Sequence, residues 1–253
     1  MIGRILYWRA CQRLRAIEGQ GLDPASVQRD LLLRLVRRAK ETRFGREHGF
    51  GAIRSPEEFR EAAKDALIVD VRPVEEYVKS HLPGSLSVAF RSSYATWLGW
   101  LAPLGTPLLF VLGSVRLDGV IDESLLIGQE RFAGWLEGGL GVWESAGLPV
   151  VSTQMVDATG VRDLAGDGAT LVDVREPDEY AAGHIPGAIQ MPLGTLQANL
   201  ERIPRDRPAV TYCAMGERSA SAASILERGG FAAVRNLDGG IEAWLAAGQR
   251  IAV

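Results

Sequence analysis

The sequence predicts an α/β protein: two tandem domains, each a mainly parallel sheet flanked by helices, behind an N-terminal helical extension. Three observations predict it. From Ala66 onward, short apolar β-branched runs alternate with helical patterns, as in a parallel sheet covered on both faces. One ordered set of motifs occurs twice. The opening stretch differs in charge from everything after it: residues 1–64 hold fourteen Lys and Arg against eight Asp and Glu, a balance of +6, and the remainder carries −9.

At 253 residues, 47% hydrophobic and 23% charged, the chain has the composition of globular domains. Two cysteines, Cys11 and Cys213, in unlike contexts argue against a disulfide framework or a cysteine metal site. His48, His81 and His184 do not cluster at ligand spacing, so no metal and no cofactor is expected. One reactive thiol suits a reducing cytoplasm. Residues 1–9 carry charges where a signal peptide needs an apolar core. The uncharged stretch 92–115 is long enough to span a membrane, but Pro103, Gly105 and Pro107 break it, so no membrane span is expected.

Taken in order, residues 1–20 read as a basic amphipathic helix with Ile2, Ile5, Leu6, Leu14 and Ile17 on its apolar side. Cys11 within it reads as a small apolar residue. Asp23-Pro24 starts a second helix, whose apolar face is Val27, Leu31, Leu32, Leu35 and Val36. Residues 44–51 form a glycine-punctuated turn, and Ser55-Pro56-Glu57-Glu58 opens a short helix. The extension is assigned residues 1–52. It has no assigned role; a solvated face and a protein partner for its basic helices both stay open, and no nucleic-acid partner is indicated.

The repeat then begins. Asp70-Val71-Arg72 and Glu76-Tyr77 with His81-Leu82-Pro83-Gly84 recur as Asp173-Val174-Arg175 and Glu179-Tyr180 with His184-Ile185-Pro186-Gly187. Gly138-Gly139 with Trp143 recurs as Gly239-Gly240 with Trp244. These bounds give domains at 53–150 and 151–253. Residues 94–101 read as a helix and 108–112 as a strand. Trp143 and Trp244 read as core, and Gly239-Gly240 as a tight turn before a helix.

The two copies differ at one loop. In the second, the buried strand 209–212 runs into Cys213-Ala214-Met215-Gly216-Glu217-Arg218 and then a helix of small residues. A cysteine where a strand meets a helix N-terminus faces converging N–H groups and a favourable dipole, which promote a reactive thiolate. In the first copy Leu112 stands at the position of Cys213 and Leu117 at that of Arg218.

On these motifs the second copy resembles the rhodanese (sulfurtransferase) domain over its whole length. The first resembles an inactive rhodanese domain, and its residues 94–101 are similar to the tandem rhodanese segments fused to metallo-β-lactamase-fold sulfur dioxygenases. No such hydrolase domain is present. Residues 32–60 resemble the opening of the auxin-responsive acyl-acid amido synthetase family, without its nucleotide-binding core.

The resemblance implies transfer of a sulfane sulfur from thiosulfate or a small persulfide, through a Cys213 persulfide, to a thiol or cyanide acceptor. Cys213 is the nucleophile. The N–H groups of Ala214, Met215, Gly216, Glu217 and Arg218 would curl round its sulfur, with Gly216 letting the loop close. Arg218 would bind an anionic donor, and Glu217 would disfavour thiosulfate. Four residues separate Cys213 from Arg218, one fewer than a phosphate-cradling cysteine phosphatase needs. Asp173 and Arg175 read first as an ion pair tying strand to loop, with a supporting role at the site as the alternative. His184 reads as a local hydrogen-bonding residue. Other readings are a binding or regulatory module on the same fold, and a fusion or truncation product.

Overall fold

The computed structural model describes residues 56–253, and side chains from Glu58 except Phe59. The readings placed on residues 1–55, including Cys11 and the basic helix, lie outside the described residues.

The first copy contains α1 (Pro56–Ala62), β1 (Leu67–Asp70), α2 (Val74–Tyr77), β2 (Leu86–Ser87), α3 (Tyr94–Leu101), β3 (Leu108–Val111), α4 (Leu117–Leu126), β4 (Phe132–Trp135) and α5 (Gly139–Ser145). The second contains β5 (Gln154–Val156), α6 (Ala158–Gly166), β6 (Thr170–Asp173), α7 (Pro177–Ala181), β7 (Ile189–Gln190), α8 (Leu193–Leu196), a 3₁₀ turn, β8 (Ala209–Tyr212), α9 (Glu217–Arg228), β9 (Val234–Leu237) and α10 (Gly240–Ala246). The uncharged stretch is thus divided between α3 and β3. No helix among the described residues is long and apolar enough to cross a membrane.

Both sheets are parallel throughout. Their strand orders are β2-β1-β3-β4 and β5-β9-β8-β6-β7. The central strands are continuous apolar runs because both faces are covered: all four residues of β3, β6 and β8 are buried. β8 pairs with β6 at Asp173↔Tyr212, so the strand that leads into Cys213 lies beside the one carrying Asp173.

Local chemistry explains where helices begin. The Asp157 carboxylate accepts from the Gly160 N–H at 2.7 Å and caps α6. Pro177 starts α7, and the Glu179 side chain accepts from the Glu176 N–H at 3.0 Å. Trp143 and Trp244 are buried, and their indole N–H groups donate to the carbonyls of Pro149 and Arg250, each at 2.9 Å. Each pins its domain's last helix to the segment after it.

The two copies share a core. Leu67, Phe110 and Leu112 of the first copy belong to the same buried cluster as Val172, Cys213, Ala222 and Leu226 of the second. The shared element is α9, in which every residue from Ser219 to Leu226 is buried. A helix buried all round normally carries large apolar side chains. Here small ones let it sit between its own sheet and the first copy: Ala220 packs with Val74, Tyr77 and Val78, and the Ser224 hydroxyl accepts from the Ser87 N–H of β2 at 3.1 Å.

Candidate active site

Cys213 follows the last residue of β8 at the carboxyl end of the second sheet, where open α/β sheets hold their ligands. It is 2% exposed. The chain turns through Ala214 and Met215 to Gly216, whose φ of 103° is open to glycine and strained for other residues. That turn aims the Gly216 N–H at Cys213 Sγ, 3.1 Å away. The Ser219 hydroxyl, one turn into α9, lies 3.5 Å from the same sulfur. Both donors and the helix N-terminus favour negative charge on Sγ.

A second pair of glycines holds the loop from outside. Gly239 and Gly240 start α10 with φ values of 66° and 61°. The N–H groups of Ile241 and Glu242 donate to the carbonyls of Cys213 and Ala214, at 2.8 and 3.2 Å. A Cβ on Gly240 would stand 2.3 Å from the Ala214 oxygen and 2.5 Å from that of Cys213. The glycine pair is therefore more than the turn expected from the sequence: it lets α10 grip the reactive loop by its backbone.

Arg218, expected as a charge for an anionic donor, has a partner within the chain. Its two terminal nitrogens form a fork with the Glu179 carboxylate, at 2.6 and 2.7 Å. These bonds, with help from the neighbouring Cys213, hold the Arg218 pKa above its ordinary value, and they hold Glu179 below the usual carboxylate range. Arg218 therefore spends its end-on fork on Glu179, and its charge reaches the sulfur through space. Glu217, expected as an acidic side chain beside the pocket, is likewise partnered. Its carboxylate is bonded by Arg91 of the first copy. The partners of both residues were invisible to local spacing, since Glu179 is 39 residues from Arg218 and Arg91 is 126 from Glu217.

Asp173 and Arg175 form a buried pair at the end of β6. Arg175 Nε and Nη2 bind the carboxylate at 2.9 and 2.5 Å, and Nη2 also donates to the Gly183 carbonyl at 2.8 Å. Burial opposes the Arg175 cation, but Asp173 outweighs it and the pKa stays raised. The first copy repeats the arrangement with Asp70, Arg72 and the Ser80 carbonyl. A device present in both copies, with and without the cysteine, is a strand-to-loop tie. His184 stacks on Tyr180, with ring centroids 3.8 Å apart, and its Nδ1 lies 3.1 Å from the Tyr180 carbonyl. It does not meet the reactive loop.

The equivalent end of the first sheet opens on a cavity of about 570 Å³, with Leu112 where the second copy has its thiol and with Glu76 and Glu137 in its wall. Glu76 corresponds to Glu179, but Leu117 stands where the arginine would be.

Comparison with known proteins agrees with this geometry. The rhodanese-like domain family matches twice, over residues 55–146 and 157–247. The chain belongs to that family. The N-terminal domain model of the GH3 family matches residues 13–88, in keeping with the N-terminal resemblance. A sulfurtransferase of Allochromatium vinosum is 46% identical over 74 residues, 29% of this chain and 69% of that protein. A thiosulfate sulfurtransferase, GlpE, of Pseudomonas entomophila is 40% identical over 81 residues, 32% of this chain and 74% of that protein. Among solved structures, a rhodanese-related protein of Thermoplasma volcanium is 29% identical, with a TM-score of 0.37, covering 39% of this chain and 97% of its own.

Proposed function

We propose that the chain is a sulfurtransferase that carries a sulfane sulfur as a persulfide on Cys213. The donor is thiosulfate or a low-molecular-weight persulfide, and the acceptor a thiol or cyanide. In the first half-reaction the Cys213 thiolate attacks the outer sulfur of the donor. A new S–S bond forms at Cys213 as the donor's own S–S bond breaks, and the electron pair leaves with sulfite or with a thiolate. In the second, the acceptor attacks the outer sulfur of the Cys213 persulfide and the enzyme thiolate is restored. No oxidant or reductant is consumed, and the two halves give ping-pong kinetics.

One observation carries this reading: Cys213 Sγ lies within a short loop that spends a backbone N–H on it, at 3.1 Å from Gly216. Its four-residue gap to Arg218 favours one anionic atom over a tetrahedral oxyanion. The Arg218–Glu179 pair supports the loop electrostatically. We further propose domains at 53–150 and 151–253, with the first a non-catalytic partner, and a reducing cytoplasm as the place of action.

The test is mass spectrometry of the intact protein after exposure to thiosulfate and, separately, to an organic persulfide. The expected result is a gain of one sulfur atom on Cys213, removed by cyanide and absent in Cys213→Ser. If neither donor adds sulfur to the wild-type protein, the proposal fails.

A further inference from the structure

Beside the reactive loop, between the two copies, lies a cavity of about 190 Å³. One wall is Gly216, whose N–H holds the Cys213 sulfur. The opposite wall comes from the first copy, from α2 and the residues just after it. The first copy therefore lines the cavity that adjoins the sulfur-holding loop.

The chemistry of the lining is specific. Val74 and Val78 from the first copy face Met155 and Met215 from the second, an apolar belt with two adaptable thioethers. Met215, in the reactive loop itself, is 61% exposed. Four charged residues border the belt. Three are acidic, Glu75, Glu217 and Asp238, and Arg91 pairs with Glu217 and reaches Glu75 at 4.0 Å. The fourth is Lys79, which makes no hydrogen bond or ion pair among the described residues.

A compact dianion such as thiosulfate matches this lining poorly. It would meet Lys79 as the one cation without a carboxylate partner, three carboxylates and apolar walls that offer it no hydrogen bonds. A donor with a short hydrocarbon body, one carboxylate and one ammonium group matches it well.

Resting on the sulfurtransferase reading above, we infer that the donor is an organic persulfide of amino-acid type, and that Lys79 of the first copy receives its carboxylate. The apolar belt takes the methylene next to the persulfide, and Asp238 takes the ammonium group. The transfer is balanced: the Cys213 thiolate takes the terminal sulfur, and the donor leaves as an amino-acid thiolate. Lys79 is a specificity-determining residue supplied by the copy that lacks a cysteine.

The test compares cysteine persulfide with ethyl persulfide, which has neither charged group, in steady-state assays of the full chain. The expected result is that Lys79→Gln raises the KM for cysteine persulfide about tenfold, the loss of one charge-assisted contact, with kcat little changed. The KM for ethyl persulfide stays constant, and Lys79→Arg restores most of the lost affinity. Equal KM changes for the two donors, no change for either, or a lower KM for thiosulfate than for cysteine persulfide in the wild type would each overturn the inference. In those cases sulfur still loads on Cys213 and the sulfurtransferase reading stands. Failure of every donor to load Cys213 removes both.

Discussion

At the scale of single residues, two glycines with similar backbone angles separate strain from collision. Gly248 has a φ of 71° and open space where a Cβ would go; Gly240 has a φ of 61° and two carbonyl oxygens there. Gly248→Ala should therefore cost only the left-handed backbone penalty, about 1–2 kcal/mol. Gly240→Ala should cost more, because the carbonyls it strikes belong to Cys213 and Ala214. Thermal melts of the two variants, paired with persulfide formation, check this; sulfur loading should fall only in Gly240→Ala. Glu179 makes a second residue-scale case. Its folded pKa is lowered by Arg218, so its contribution to stability is complete above the ordinary carboxylate pKa and is lost as pH falls through the lower folded value. The gap in Tm between wild type and Glu179→Gln should be constant near neutrality and close in acid. A gap that persists in acid would mean the pair is not what Glu179 contributes. The cysteine, its spacing to Arg218 and the closing glycine were all legible in the sequence, because each acts within a few residues of its partner. The bond of Arg91 to Glu217 and the grip of Gly240 on the loop were not, because only folding brings those residues to it.

At the scale of elements, α9 explains a composition that sequence reading could register but not interpret. Its run of alanine and serine resembles an ordinary good helix former. Its actual constraint is a partner on each side, with the first copy's α2 and β2 close enough to touch backbone. Ala220→Leu would push three further carbons against Val74, Tyr77 and Val78, and overpacking of this kind costs about 1–3 kcal/mol. Ser224→Ala acts by another route. It leaves the buried Ser87 N–H without its acceptor, which costs roughly 1–3 kcal/mol although the side chain becomes smaller and less polar. Urea melts of both variants measure these losses, and Ser224→Ala as stable as wild type would count against the role given to that bond. The parallel strands themselves were readable because a doubly covered strand is apolar at every position. The neighbour on the outer face of α9 was not readable, because small residues suit solvent, a helix or a second domain alike.

At the scale of the whole molecule, the repeat makes the two copies look separable, yet side chains of α9 bind them together. Glu227 is the centre of one such link. Its carboxylate takes the Thr153 hydroxyl at 2.9 Å and lies 3.2 Å from His81 Nε2, while His81 Nδ1 is 2.9 Å from the Tyr77 carbonyl. Next to it, Arg228 donates to the Gly84 carbonyl at 2.5 Å. His81 is buried and stacked on Tyr77, so removing Glu227 strands a ring nitrogen away from water, at a cost of about 1–3 kcal/mol. If the copies were only tethered, that loss would loosen the interface and leave two melting steps. Because Cys213 and Ala222 share one buried cluster with Phe110 and Leu112, loosening the interface opens the core of both. Glu227→Ala should therefore lower the Tm of the two sheets together. In a Cys11→Ser background, where Cys213 is the sole thiol, its reactivity towards a thiol reagent should rise over the same temperature range as the calorimetric transition. Cys213 becoming reactive well below a second transition would show that the first copy folds apart from the second, and that the cavity between them is not a fixed part of the molecule.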